Sequence, residues 1–208
     1  RKDRNYLKQL YESQEKERTR ISKDLHDNMG AYTTSLLAQI DTIESTSTNH
    51  IALHNLRHDA ENIMATLRET IWILKSGAIS IFQFKELLQQ YAQKQLGTNA
   101  GIALRFEDHL KNDLILSPGT SLNLYRIYQE ILQNIIKHSK ASNVSIQLAC
   151  EGTQFKWTIT DNGTGFDVVS DGSTSGLENM RYRAKEIACV LEILSSEKGT
   201  SIHLAGNL

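Results

Sequence analysis

Residues 125–139 read YRIYQEILQNIIKHS, and the spacing of their polar side chains decides how the rest of the chain is interpreted. Glu130, Asn134 and His138 are four residues apart and Lys137 precedes the last, so a helix would place all four on one face. A carboxylate, an amide oxygen and a lysine on one face suit Mg²⁺ and phosphate, because hard cations prefer oxygen ligands. An ordinary solvated helix face would carry the same residues, and this stretch alone favours that simpler interpretation.

Capping signals mark the start of this helix and of the helix before it. A Ser-Pro pair at residues 117–118 is typical of an N-cap followed by a first helical residue, which predicts a helix running to about His138. The sequence SIFQ at residues 80–83 has the form of a capping box. It predicts a second helix that reaches about Leu96 and is ended by Gly97.

Strand signals surround both helices. GIALRFED at residues 101–108 predicts one strand, and VLEIL and SIHLA, at residues 190–194 and 201–205, predict two short ones near the end of the chain. Alternating apolar residues predict two more strands, at Val144, Ile146 and Leu148 and at Phe155, Trp157 and Ile159. Adjacent strands look like hairpins, which favours an α+β layered sandwich over a parallel βαβ fold.

A glycine-rich loop, DNGTG at residues 161–165, follows the second alternating strand. Asp161 at the strand end can accept a hydrogen bond from an amino group such as that of adenine. Gly163 and Gly165 would let the backbone approach a ligand closely. The same letters also make a plain hairpin turn, so the loop is weak support for a nucleotide site. It is neither a Walker A motif nor a dinucleotide-binding fingerprint.

Two further features follow that loop. Gly176 begins a predicted helix, and free amides at a helix N-terminus attract anions. A glycine that only ends the preceding loop is an equally good interpretation. Thr200 lies in the turn of EKGTSIHL at residues 197–204, which alone indicates only a turn.

The first 76 residues differ in composition and in the spacing of their apolar residues. They contain no proline and one glycine, Gly30, and their apolar residues recur at steps of three and four on either side of the polar stretch ESTSTNH, at residues 44–50. This pattern predicts two helices that form a hairpin. One hairpin buries little apolar surface, so we expect two copies to pair into a four-helix bundle, with a coiled-coil lead-in before it.

A histidine lies on the first of these helices, in SKDLHDNMGAY at residues 22–32. His26 is followed by Asp27, and such a pair could be a reactive imidazole, half of a metal site or a solvated surface pair. His26 follows the apolar Leu25, so it would lie about 100° from the buried seam and be reachable from outside.

Composition bounds the class of protein. The chain has 208 residues, 39% hydrophobic, and a net charge of −1, which offers no electrostatic argument for direct binding of nucleic acid or an anionic membrane. Cys150 and Cys189 are far apart without metal-ligand spacing, which is typical of a reducing compartment. The chain starts without methionine inside a charged stretch, so we expect a cytoplasmic piece of a longer protein.

The order of the C-terminal features resembles the ATP-binding domain shared by histidine kinases, gyrase, Hsp90 and MutL. An Asn-bearing helix, a DxGxG loop, a glycine-led helix and a Gly-Thr turn follow one another over about residues 80–208. The resemblance implies ATP and Mg²⁺ as cofactors. It assigns Asn134 to Mg²⁺, Glu130 to a base or a water, and Asp161 to the adenine amino group. It places Lys137 and His138 near the phosphates, Thr200 at the adenine, and Gly163, Gly165 and Gly176 around the pocket and its lid.

The N-terminal part resembles the phosphoacceptor helix of sensor histidine kinases of the nitrate-sensor and desaturase-sensor type. ERTRISKDLHDNMG at residues 17–30 carries that pattern. The resemblance implies a dimerisation and phosphoacceptor domain at residues 1–78 and an ATP-binding domain at residues 79–208. It implies that His26 is phosphorylated with help from Asp27, and that the phosphoryl group passes to a response regulator. Membrane attachment would come only through a sensor region before residue 1.

One residue departs from that pattern, and two other functions remain open. Relatives often carry glutamine after the glycine, and here the position is Ala31, which predicts weak phosphatase activity because a methyl group cannot orient water. A nucleotide-binding scaffold without turnover is the main alternative. Intact Glu130, Asn134, Asp161 and His26 argue against it. A gyrase-like or chaperone-like ATPase would need a further transducer domain.

Overall fold

The computed structural model describes residues 77–166 and 175–208, together with Ser13, Ser35 and Ile73. The chain divides into two units, Arg1–Lys75 and Ser76–Leu208, and both long described ranges belong to the second. The predictions for His26, Asp27, Ala31 and the paired helical hairpins lie outside the described residues.

The second unit contains the predicted helices and strands in the predicted order, together with two short strands, at residues 79–80 and 115–116, that the sequence did not predict. Its strands are β1 (Ile79–Ser80), β2 (Ala103–Leu110), β3 (Ile115–Leu116), β4 (Asn143–Glu151), β5 (Gln154–Asp161), β6 (Cys189–Ser196) and β7 (Gly199–Asn207). Its helices are α1 (Ile81–Ala92), α2 (Pro118–Asn134) and α3 (Ser175–Glu186). Helices α1 and α2 continue as π-helical segments at Gln93–Asn99 and Ile135–Ser139.

Both predicted N-caps are confirmed. The Ser80 hydroxyl accepts a hydrogen bond from the Phe82 amide, and the Gln83 side chain accepts one from the Ser80 amide, which completes the capping box of α1. The Ser117 hydroxyl accepts from the Thr120 amide at 3.1 Å at the start of α2. These bonds satisfy helix N–H groups that have no partner within the helix.

The predicted end of the first helix at Gly97 is wrong. Helical backbone continues through that residue in π form as far as Asn99. The residue that reverses the chain is Gly101, which has a left-handed φ of 65°. The Ile102 amide, just after Gly101, donates to the carbonyl oxygen of the buried Leu96 at 2.8 Å, so the turn that closes the helical segment forms at Gly101 and not at Gly97.

The main sheet is mixed. Its five strands have the order β2-β4-β5-β7-β6, while β1 and β3 form a separate antiparallel pair. The predicted hairpins are confirmed for β4–β5 and for β6–β7. Strand β2 pairs with β4 in parallel, a pairing that needs a crossover connection, and α2 lies in that connection. The α+β class is confirmed, with one parallel pair that the hairpin pattern did not predict.

The core fills the space between the helices and one face of the sheet. Alternate residues of β4 and β5 are buried, as their sequence pattern predicts. Trp157 of β5 lies at their centre and packs on Tyr128 of α2 with 5.0 Å between ring centroids. The Tyr128 hydroxyl donates to the Leu88 carbonyl oxygen at 3.1 Å. These contacts hold the apolar face of α2 on the sheet, and they leave Glu130 and Asn134 half-buried beside it.

Among the described residues, no helix combines the length and the apolar character needed to cross a bilayer.

We expect Ser117→Ala to destabilise the second unit by about 1 kcal/mol, since the Thr120 amide loses its acceptor. The melting temperature should fall by roughly 3–5 °C in a calorimetric scan. Ser117→Asp is the matched control, because aspartate also caps helices and should melt near the wild type. Equal melting of the alanine variant and the wild type would contradict the assigned cap.

Candidate functional site

A pocket of about 350 Å³ opens between α2, the sheet and the loop that follows β5. Five of the predicted site residues line it: Asn134, His138, Asp161, Gly165 and Thr200. The other lining residues are mostly apolar: Ile131, Ile135, Ser139, Ile159, Thr164, Phe166, Leu177 and Ile202. Glu130, Lys137, Gly163 and Gly176 were predicted near the ligand and do not line the pocket.

Asp161 is the least exposed polar residue that lines this pocket. It is the last residue of β5 and only 4% exposed. One carboxylate oxygen accepts a hydrogen bond from the Gly163 amide at 2.8 Å. Burial raises the pKa of the Asp161 carboxyl group, and hydrogen bonds from the backbone amides of Gly163 and Thr200 oppose that rise. The result is a buried hydrogen-bond acceptor, held by backbone amides, in a pocket whose lining is mostly apolar.

The glycine loop packs directly on the C-terminal end of the α2 segment. The Thr164 amide donates to the Ser139 carbonyl oxygen at 2.6 Å, and the Thr164 hydroxyl donates to the same oxygen at 3.2 Å. A β-carbon on Gly163 would overlap that oxygen. Glycine is therefore required at residue 163 because the backbone of the loop approaches that of Ser139 closely. Gly163 does not line the pocket, whereas Gly165 of the same loop does.

The π-helical turn at Ile135–Ser139 separates two residues that the sequence grouped together. An α-helix would place Lys137 and His138 on the same side as Asn134, whereas here His138 lines the pocket and Lys137 does not. Both side chains are exposed. The Ser139 hydroxyl donates to the Ile135 carbonyl oxygen at 2.9 Å, a local bond that accompanies the altered turn.

Glu130 and Gly176 meet outside the pocket lining. A β-carbon on Gly176 would overlap a carboxylate oxygen of Glu130, so the carboxylate lies against the first turn of α3. The sequence predicted both residues for the site but did not predict their contact. The missing side chain at residue 176 makes room for the carboxylate.

Three polar residues that the sequence did not single out, Ser139, Thr164 and Ser195, help to build the pocket. Ser195 accepts a hydrogen bond from the Phe166 amide at 2.9 Å, which fixes the end of the glycine loop. A β-carbon on Gly165 would overlap the neighbouring Ser196 carbonyl oxygen. Among the lining residues that the sequence did not single out for the site, Ile159 and Ile202 did carry a sequence signal: they alternate with polar residues, and they lie opposite each other in β5 and β7.

Residues 119–205 match the family described as histidine kinase-, DNA gyrase B- and HSP90-like ATPases. Residues 17–78 match a second family, described as histidine kinase. The first match covers the described pocket, and its description implies ATP binding by this part of the chain. The second covers residues 17–30, which carry the phosphoacceptor pattern.

Curated relatives carry both regions. The chain is 31% identical over 199 residues to the sensor histidine kinase LiaS of Bacillus subtilis, an alignment that covers 90% of this chain and 53% of LiaS. It is 28% identical to the histidine-protein kinase/phosphatase DegS of Brevibacillus brevis, over 93% of this chain and 52% of DegS. The chain thus spans about half the length of these relatives. Both relatives are named histidine kinases, and two parts of this chain, residues 17–78 and 119–205, match families that the descriptions assign to histidine kinases.

Solved structures agree in fold. A histidine kinase of Acinetobacter baumannii, AdeS, superposes with a TM-score of 0.58 at 13% identity, over 88% of this chain and 97% of that one. The histidine kinase domain of a blue-light activated kinase of Erythrobacter litoralis gives a TM-score of 0.53 at 16% identity, over 83% and 95% of the two chains. At such identity these similarities establish the fold alone.

If Asp161 binds the amino group of the base, as the family resemblance implies, Asp161→Asn should weaken ATP binding by roughly 10- to 100-fold, because a charge-assisted hydrogen bond would be lost. Titration calorimetry measures the change. Glu192→Gln, which alters an exposed carboxylate on β6, is the control and should bind ATP like the wild type. Unchanged ATP affinity in the Asp161 variant would contradict the assignment.

The same variant should melt at a higher temperature than the wild type at neutral pH. Because burial raises the folded-state pKa of Asp161, ionisation of this carboxyl destabilises the fold. The free energy of unfolding of the wild type falls as pH rises from the ordinary aspartate pKa of 3.8 through the raised pKa of Asp161, because the carboxyl group ionises. The asparagine side chain of the variant does not ionise, so the variant has no such loss. The difference in melting temperature should be largest near pH 7 and shrink toward pH 4. A lower melting temperature of the Asp161→Asn variant than of the wild type at pH 7 would contradict this expectation.

Proposed function

We propose that this chain is the catalytic part of a sensor histidine kinase that uses Mg·ATP to phosphorylate its own His26. The phosphoryl group would then pass to an aspartate in the receiver domain of a response regulator. The observation that carries the proposal is the convergence of Asp161 and Asn134 on one apolar pocket, in a chain whose residues 17–78 match a histidine kinase family.

The pocket fits a purine nucleotide. Its apolar walls, with Ile159 and Ile202 among them, would hold a flat ring, and the buried Asp161 carboxylate would accept a hydrogen bond from an exocyclic amino group. Thr200 lines the same end of the pocket and would contact the base. Asn134 and His138 lie on the α2 side, where they would face the phosphates. Lys137 is exposed and would reach the same phosphates from outside the pocket.

A magnesium ion would be held chiefly through Asn134 and the nucleotide. Within the described ranges, no three His, Cys, Asp or Glu side chains are grouped as metal ligands, so this part of the chain offers no complete set of protein ligands. This donor set fits Mg²⁺, which usually keeps waters and takes phosphate oxygens beside one or two protein ligands. When bound, Mg²⁺ would neutralise charge that develops on the transferred phosphoryl group.

The transfer itself requires a nucleophile and a place for its proton. A neutral His26 imidazole would attack the γ-phosphorus, forming an N–P bond as the bond to ADP breaks. Asp27 would hold the other ring nitrogen or accept its proton, which fixes the tautomer. Glu130 would act as a base or position water. Positioning and charge neutralisation supply most of the rate in such reactions.

The remaining assignments extend this proposal. We place the dimerisation and phosphoacceptor domain at residues 1–78 and the ATP-binding domain at residues 79–208. Pairing of two chains through the first domain and docking of a receiver domain are both expected. The membrane anchor and the weak phosphatase activity expected from Ala31 stay predictions, and the relative DegS is itself named a kinase/phosphatase.

Labelled ATP tests the proposal. We expect the wild type to acquire acid-labile, base-stable label, and His26→Gln to acquire none, because only a phosphorylated nitrogen shows that stability. His109→Gln is a matched control, since His109 is exposed on β2 and outside the pocket, and it should label like the wild type. A wild type that binds ATP without acquiring label would support the scaffold alternative instead.

Gly176→Ala should slow autophosphorylation by roughly 10²-fold while ATP affinity stays near the wild-type value. The added methyl group would displace the Glu130 carboxylate, and a positioned acid or base contributes about that factor. Single-turnover labelling gives the rate and calorimetry gives the affinity. Adding Glu130→Gln to the alanine variant should cause little further loss. Autophosphorylation of Gly176→Ala at the wild-type rate would contradict the role given to this contact.

A further inference from the structure

Ser195 lies behind the pocket wall and does not line the pocket. It is the second-last residue of β6 and pairs with Thr200 of β7 in the sheet register. Its hydroxyl accepts a hydrogen bond from the Phe166 amide at 2.9 Å and lies 3.0 Å from the Thr200 hydroxyl. Ser195 thus connects two lining residues, one from the loop after β5 and one from β7.

Hydroxyl chemistry limits how these bonds are arranged. A serine hydroxyl has one hydrogen to donate and two lone pairs that accept. The Phe166 N–H group occupies one lone pair of Ser195. If Ser195 donates its hydrogen to the Thr200 oxygen, the hydrogen of Thr200 is left to point elsewhere. Thr200 lines the pocket, so that hydrogen is available to a ligand.

Thr200 is also joined to Asp161. Its backbone amide donates to the Asp161 carboxylate, so a pure acceptor and the Thr200 hydroxyl lie at the same end of the pocket. Adenine presents an amino donor next to a ring-nitrogen acceptor. Hypoxanthine presents the reverse, an oxygen acceptor next to a ring N–H donor. An Asp161 acceptor beside a Thr200 donor is complementary to adenine and mismatched to hypoxanthine.

We propose that Ser195 is a positioning residue that turns the Thr200 hydroxyl into a donor toward the nucleotide base and so contributes to the choice of adenine. The inference rests on the proposed function, since it takes the pocket to be the ATP site. It adds a residue that touches no ligand and acts through Thr200.

Two variants of nearly equal shape test the role of the hydroxyl. Ser195→Thr keeps the hydroxyl and Ser195→Val replaces it with a methyl group, and both residues suit a strand. We expect the threonine variant to bind ATP like the wild type, and the valine variant to bind it roughly 5- to 10-fold more weakly, the effect of one hydrogen bond. Affinity for ITP should be unchanged, so discrimination between ATP and ITP falls by the same factor.

A double-mutant cycle shows whether the effect passes through Thr200. In a Thr200→Val background, which has no hydroxyl to orient, Ser195→Val should cause no further loss of ATP affinity. A full, additive loss would instead place the effect in the Phe166 amide and the glycine loop, and would overturn the proposal. Equal ATP affinity of the Ser195→Thr and Ser195→Val variants would also overturn it. A parallel loss of ATP and ITP affinity would show a merely structural role.

The wild-type protein separates failure of this inference from failure of the proposed function. If the wild type does not bind ATP, the proposed function fails. If the wild type binds ATP and the two variants at residue 195 bind it equally well, the pocket assignment stands and only the role of Ser195 is lost.

Discussion

The buried carboxylate of Asp161 is the group around which the pocket is organised. It ends a central strand, has almost no contact with water, and accepts backbone hydrogen bonds from the glycine loop and from β7. A desolvated carboxylate is costly unless such donors surround it. The fold therefore needs both the turn at Gly163 and the register that brings Thr200 alongside. A buried charge that is kept for ligand binding lowers the stability of the fold, a trade-off that is common at active sites.

Helix α2 supplies the other side of the same site. Local contacts fix its start, and contacts with residues far away in the chain fix its end. Its start is fixed by the Ser117 cap and its packing by an apolar face that holds Tyr128 on Trp157. Its end is set by contacts made elsewhere, because the Ser139 carbonyl oxygen receives the Thr164 amide from the glycine loop. In the π-helical turn at Ile135–Ser139, His138 lines the pocket and Lys137 does not.

Most of the fold could be predicted from the sequence, because helix caps and the alternation of apolar residues are local signals. The caps, the order of the predicted helices and strands, and the two hairpins are confirmed. The predicted helix end at Gly97 was wrong, because the turn that closes the helical segment forms at Gly101. The parallel pairing of β2 with β4 was not predicted. A crossover strand has no turn signal to reveal its partner, and its pairing is decided by how α2 packs on the sheet.

By itself, the sequence determined the kinds of residues that make the site and their order along the chain: an Asn-bearing helix, a DxGxG loop, a glycine-led helix and a Gly-Thr turn. Only the tertiary structure decided which of them share a pocket and which contact each other instead. It brought Glu130 against Gly176 and placed Ser195 behind Thr200. Such contacts join residues far apart in the chain, so they depend on strand register and on the docking of loops, which no local pattern encodes.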